Sequence, residues 1–176
     1  MRFKAVILGD GGVGKSSLLY RFVKKQNLTN PESTCGTCFQ SVQHGNIQLN
    51  IWDTAGQERY QSLIPFYTRG ASVYLIVYDV TDQNTKKHAI EWCEKISKEY
   101  KQGSEMIEQP IICLIGNKSD LLETQEEAGY LVNAFDDSIE KVFEDIFVQL
   151  KNCKVEQNEE IVTIKDIPAR SRCCFI

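Results

Sequence analysis

The sequence predicts an α/β domain, an open and mostly parallel sheet with one antiparallel hairpin. Three observations carry this. Residues 3–8 (FKAVIL), 74–78 (YLIVY) and 111–115 (IICLI) are short apolar runs bounded by turn residues, as expected of strands buried on both faces of a parallel sheet. Stretches with helical periodicity lie between them. The chain has 176 residues, close to the length of one such domain.

In order along the chain, the first strand runs straight into a glycine-rich loop and a helix over residues 15–23. Residues 41–52 (SVQHGNIQLNIW) read as two strands joined tightly at His44-Gly45-Asn46. A strand over 74–78, a helix over 86–100 and a strand over 111–115 follow. The last helix, 138–150, carries Ile139, Val142, Phe143, Ile146, Phe147 and Leu150 at i, i+3, i+4, i+7 spacing, one apolar stripe. Beyond residue 152 the periodicity fades. We therefore expect a domain over 1–152 and a mobile tail over 153–176, in which 161–164 (IVTI) has the composition of a short edge strand.

Composition narrows the function classes. Hydrophobic residues at 42% suffice for a packed core, and a formal net charge of −4 argues against a general nucleic-acid binder. No run is long and apolar enough for a membrane span, and MRFKAVILGD lacks the features of a signal peptide. The seven cysteines are irregularly spaced, which fits a reducing compartment. Cys35-x-x-Cys38 has no second pair to complete a zinc site, so we read both as ordinary small side chains.

Three loops carry chemistry. GDGGVGKSS, from Gly9 to Ser17, matches G-x-x-x-x-G-K-[ST] between a strand and a helix. Backbone N–H groups from Gly11, Gly12, Val13, Gly14, Lys15, Ser16 and Ser17 can curl round a phosphate at the helix N-terminus. Lys15 is placed to reach the β- and γ-phosphates, and the Ser16 hydroxyl to ligate Mg²⁺. Second comes IWDTAGQE: Asp53 ends a strand where it can hold the metal, Gly56 can offer its N–H to a γ-phosphate, and Gln57 can orient an attacking water. Third is Asn117-Lys118-Ser119-Asp120. The Asp120 carboxylate can accept from guanine N1–H and the 2-amino group, which adenine lacks, and the Lys118 stem can cover the base. Each loop alone has a plain alternative: a glycine-rich turn, a turn after a hairpin, a helix cap. Together, in this order, they point to GTP and GDP.

With these motifs in view, the chain resembles a small GTPase of the Ras superfamily, specifically a Rab. GDGGVGKSS, STCGTCF, IWDTAGQERYQSLIPFYTRGA, NKSD and CCFI stand where a Rab has them, and RFVKKQ and TAGQERYQSLIPFY are most similar to the early-endosomal branch. The resemblance implies the three-layer P-loop fold of that family and a switch that hydrolyses GTP slowly unless helped by an activating protein. It implies that Thr34 joins Ser16 and Asp53 as a metal ligand and touches the γ-phosphate. Residues 26–39 and 56–69 become the two switches. Phe39, Trp52 and Tyr67 match the aromatic triad that Rabs show to effectors, core packing being the plain alternative. Gly11 stands where a side chain would crowd Gln57. Exchange factor, activating protein, GDP-dissociation inhibitor and effectors are implied as partners. Cys173 and Cys174 are implied geranylgeranyl sites, placing the protein on the cytoplasmic face of an endosomal membrane, cycling through cytosol.

Departures from the family pattern qualify this. The switch I position that usually carries an aromatic beside the base is Asn27. The hairpin at 44–46 looks shorter than usual, and 101–110 looks longer. Only twelve residues separate Asp120 from Asn133, where a Rab has a helix, an edge strand and a loop that closes on guanine O6; Asn133-Ala134-Phe135 is the nearest match to that loop. Either 126–132 is the helix and the strand is missing, or 130–135 is a replacement strand and the helix is nearly lost. A parallel crossover normally needs a dozen residues, and nine are available, so we expect the missing strand. The base hydrogen bond lost with the closing loop, added to the stacking lost at Asn27, implies weaker nucleotide binding and faster release. A scaffold that binds nucleotide poorly and acts through its aromatic surface is the alternative function. A P-loop ATPase or kinase is disfavoured by NKSD and by the absence of a lid.

Overall fold

The strand β1 (Arg2–Leu8) lies in the middle of a six-stranded sheet, flanked by β3 (Ile47–Thr54) and β4 (Val73–Asp79), both parallel to it. The computed structural model describes residues 1–28, 34, 36–56, 64–103, 109–122 and 129–152. Beyond β3 lies β2 (Thr37–His44), antiparallel to it and joined by a two-residue turn at 45–46. Beyond β4 come β5 (Ile111–Asn117) and β6 (Tyr130–Leu131), both parallel. All seven residues of β4 are buried, because a strand inside a parallel sheet is covered on both faces.

Helices α1 (Lys15–Lys24) and α4 (Ser138–Asn152) cover one face and α3 (Gln83–Gly103) the other, with the short α2 (Ile64–Thr68) before β4. The apolar stripe read on the last helix faces the sheet: Ile139, Val142, Phe143, Ile146, Phe147 and Leu150 are all buried, and Phe143 stacks on Phe22 of α1 at 3.6 Å. On the other face Leu8, Ile76 and Tyr78 pack with Ala89 and Ile96 of α3. The fold is thus the three-layer α/β sandwich that the sequence predicts.

The edge of the sheet corrects one expectation. A sixth strand is present: Ile115 registers with Tyr130 and Gly116 with Leu131, and the Val132 N–H donates to the Gly116 carbonyl at 2.8 Å. Since 130–131 are strand, a helix over 126–132 does not reach its expected end; 123–128 lie outside the described residues. Gly129 explains how so short a crossover can work. Its φ of +98° is a left-handed conformation, and a Cβ there would sit 2.7 Å from the Leu114 carbonyl oxygen, so glycine lets the chain turn hard against β5. Tyr130 then ties the edge strand to α4, its hydroxyl donating to Asp145 at 3.0 Å.

Cys38 is disulfide-bonded, whereas Cys93 and Cys113 are free thiols. This corrects the reading of Cys38 as a plain small side chain. Among the described residues no helix is long and apolar enough to cross a membrane. The strand expected at 161–164, residues 104–108 of the lengthened 101–110 segment and the tail lie outside the described residues.

Candidate functional site

Because β1, β3, β4 and β5 are parallel, their carboxyl ends share one edge of the sheet, the edge where such folds bind ligands. The three motif loops leave from these ends. The first enters α1 through Gly14, whose φ of +92° favours glycine and whose absent side chain leaves room for Asn117: a Cβ would lie 2.2 Å from its Nδ2. Asn117 is almost fully buried and donates through that Nδ2 to the Val13 carbonyl at 2.8 Å. One hydrogen bond thus joins the phosphate loop to the base-reading loop.

On the phosphate side, Lys15 is buried and its Nζ donates to the carbonyls of Gly9 at 2.9 Å and Asp10 at 2.6 Å. Burial pulls its pKa down, against the opposing charges of Asp53 and Asp10. The Ser16 hydroxyl donates to Asp53 Oδ2 at 2.5 Å and lies 2.7 Å from Thr34 Oγ1. The three side chains expected to hold a metal are therefore gathered at one point. Burial pushes the Asp53 carboxyl up to about 6, despite the Ser16 hydrogen bond and the Lys15 charge. Its Oδ1 is buried with no hydrogen-bond partner among the described residues. Two hydroxyls and a carboxylate with an unsatisfied buried oxygen suit a hard cation such as Mg²⁺. Gly56 closes the pocket floor, since a Cβ there would fall 2.3 Å from both Lys15 Nζ and the Asp10 carbonyl oxygen. At Gly11 the nearest atom to an added Cβ is the Gly56 carbonyl oxygen, at 3.8 Å. Gln57, which that side chain was expected to crowd, lies outside the described residues.

The base side departs further from expectation. Lys118, in a left-handed conformation, ion-pairs with Asp79 Oδ2 at 2.5 Å. Burial raises the Asp79 pKa, but hydrogen bonds from Lys118 and Thr81 outweigh it and hold the carboxyl below its ordinary value. Asp120 is exposed in a single 3₁₀ turn, Ser119–Leu121. The Ser119 N–H donates to the Val132 carbonyl at 3.1 Å, so β6 buttresses the base-reading loop directly.

Residues 133–137 form a turn with its own framework. Asn133 Oδ1 accepts from the Phe135 N–H at 2.9 Å, and Asp136 Oδ1 accepts from the Ser138 N–H at 2.8 Å. Arg21, at the end of α1, donates to the Asp136 carbonyl, to Asp137 Oδ1 and to Asn27 Oδ1, at 3.1, 2.8 and 3.1 Å. Ala134 packs against the core, whereas Phe135 is 66% exposed. Arg21 and Asp79 are site residues that the motifs do not reveal, since Arg21 meets Asp136 and Asp137, and Asp79 meets Lys118, across long stretches of sequence. The composition around Arg21 carries no signal for its role.

Apart from the nucleotide loops, the aromatic triad is one contiguous surface. Phe39 meets Trp52 edge-on at 5.3 Å across the hairpin, and Trp52 lies 6.1 Å from Tyr67 of α2. Phe39 is 43% exposed, whereas Trp52 and Tyr67 are half-buried and pack against the core beneath, so the triad joins the surface to the core. Cys173 and Cys174 lie outside the described residues.

Comparison with known proteins agrees with this geometry. The family model described as Ras family matches residues 4–164. The Ras-related protein Rab5 of Nicotiana tabacum is 37% identical over 97% of this chain and 94% of its own length. Ras-related protein RABF2b of Arabidopsis thaliana is 46% identical over 70% of this chain and 60% of its own length. Ras-related protein Rab-5A of Dictyostelium discoideum is 41% identical over 73% of this chain and 66% of its own length. The last two matches thus span less than two thirds of each relative. Matched along 161 residues or nearly the whole of its length (4 to 164 inclusive), and carrying three nucleotide loops on one edge of its sheet, the chain belongs to the Ras family as a Rab-type small GTPase.

Proposed function

We propose that this protein is a GTP-binding, GTP-hydrolysing switch, anchored to membranes and acting in endosomal vesicle traffic. The observation that carries the reading is the gathering of Ser16, Thr34 and Asp53 oxygens beside the buried Lys15. Lys15 exchanges its Gly9 and Asp10 carbonyl partners for β- and γ-phosphate oxygens. The N–H groups of residues 11–17 take the remaining phosphate oxygens, and the Gly56 N–H takes the γ-phosphate. Magnesium held by Ser16, Thr34 and Asp53 would neutralise charge on the β,γ-phosphate bridge. Gln57 orients the water that attacks the γ-phosphate, and Asp120 selects guanine. Loss of the γ-phosphate releases Thr34, and with it switch I, which changes what the Phe39–Trp52–Tyr67 surface offers to an effector.

An exchange factor, an activating protein and a GDP-dissociation inhibitor complete the cycle, with Cys173 and Cys174 as the geranylgeranylated residues. Competition of GTP and ATP for fluorescent GDP, with Mg²⁺ and with EDTA, tests the nucleotide reading. GTP should compete and ATP should not, and chelation should speed release. The second reading, a scaffold poor in nucleotide, draws on Asn27, whose side chain is held by Arg21. An absence of GTP binding at micromolar protein would favour it.

A further inference from the structure

We infer that Phe135 stacks on the purine base of the bound nucleotide, an aromatic contact supplied from the turn before α4 in place of one from switch I. The inference rests on the guanine-nucleotide reading above and deepens it. Phe135 lies three residues past Val132, whose carbonyl is bonded to Ser119 inside the base-reading loop. Three residues of chain place it within about 11 Å of that bond. On its other side, Asp136 shares Arg21 with Asn27. The segment that carries Phe135 is therefore tied at one end to the base reader and at the other, through Arg21, to the start of switch I.

The turn that carries it is not loose. Asn133 Oδ1 fixes the Phe135 N–H, Ser138 Oγ accepts from the Asn133 N–H at 2.8 Å, and Arg21 grips the next two residues. A ring 66% exposed on so well-tied a turn is apolar surface held in water. Ala134 beside it is packed into the core, so the turn's two apolar residues divide their roles. Purine faces stack on aromatic rings without regard to hydrogen-bond pattern, so Asp120 keeps base selectivity while Phe135 adds affinity. Asn27 offers no ring, and its amide is occupied by Arg21.

Calorimetric titration of GDP with Mg²⁺ into the full chain and its Phe135→Ala and Phe135→Trp variants tests this. The Phe135→Ala variant should bind GDP about fivefold to 150-fold more weakly, with an unchanged melting temperature in the absence of nucleotide because the side chain is exposed. The Phe135→Trp variant should bind within about twofold of the parent, and the added indole emission should be quenched when GDP binds. Equal affinity in the Phe135→Ala variant, or indole emission indifferent to GDP, would overturn the inference while leaving the GTPase reading intact. Failure of the parent chain to bind GDP would overturn both.

Discussion

Burial sets the chemistry of the individual site residues. Lys15 and Asp53 lie inside the protein, and each is driven toward its neutral form by desolvation. A polyanionic nucleotide with a divalent cation reverses both costs, which suits a site built to be filled. Asp120 is different: it is exposed, as the base-reading role proposed for it requires. The Asp120→Ala substitution should weaken GTP binding about tenfold or more and leave ATP affinity unchanged, as competition titrations would read. His88 offers a pH-dependent contact. Its Nδ1 lies 2.7 Å from Asp10 Oδ2, and that hydrogen bond, then the Asp10 charge, raises its pKa above 6.5. The folded-state pKa is raised, so the contact's stabilisation is complete below pH 6.5 and is lost as pH rises through the folded value. A proton NMR titration of the imidazole should show a midpoint above 6.5 in the parent and a lower one in the Asp10→Asn variant. The motif residues were legible because backbone phosphate binding needs glycines, a lysine and a hydroxyl at fixed spacing. The Arg21–Asp137 and Asp79–Lys118 contacts were not, since pairs 116 and 39 residues apart meet only once the sheet has formed.

At the level of elements, the central strands were legible and the edge was not. Strands covered on both faces are rich in apolar residues, and β1, β4 and β5 announce themselves that way. A two-residue strand has no periodicity. β6 exists because β5 offers an unpaired edge and because Gly129 can take up a φ that other residues resist. The Gly129→Ala variant should therefore lose about 1–3 kcal/mol of stability in urea unfolding. It should also release GDP faster in a stopped-flow assay, because Val132 buttresses Ser119. An unchanged midpoint would mean that the crossover does not depend on the strained turn. The presence of β6 restores the strand but not the expected base-closing loop. The grounds for weak nucleotide holding are that altered loop and Asn27, and the proposed role of Phe135 would offset the loss at Asn27.

Across the whole molecule, α1 and α4 clamp one face of the sheet, and the Phe22–Phe143 stack joins them. The same α1 begins at the phosphate loop and carries in its last turn Arg21, which holds the turn bearing Phe135. Core and site are therefore mechanically continuous: Phe143→Ala should cost about 3–5 kcal/mol, visible as a lower melting temperature, and nucleotide should restore part of it by binding the folded state. The central claim is that this connected framework turns over GTP. Single-turnover hydrolysis of γ-labelled GTP in Mg²⁺ tests it most directly, with the parent chain beside its Gln57→Leu variant. Labelled phosphate should be released slowly from GTP and not from ATP, with release abolished by EDTA and strongly reduced in the Gln57→Leu variant. No phosphate release above buffer, or release at the same rate from the variant, would contradict it.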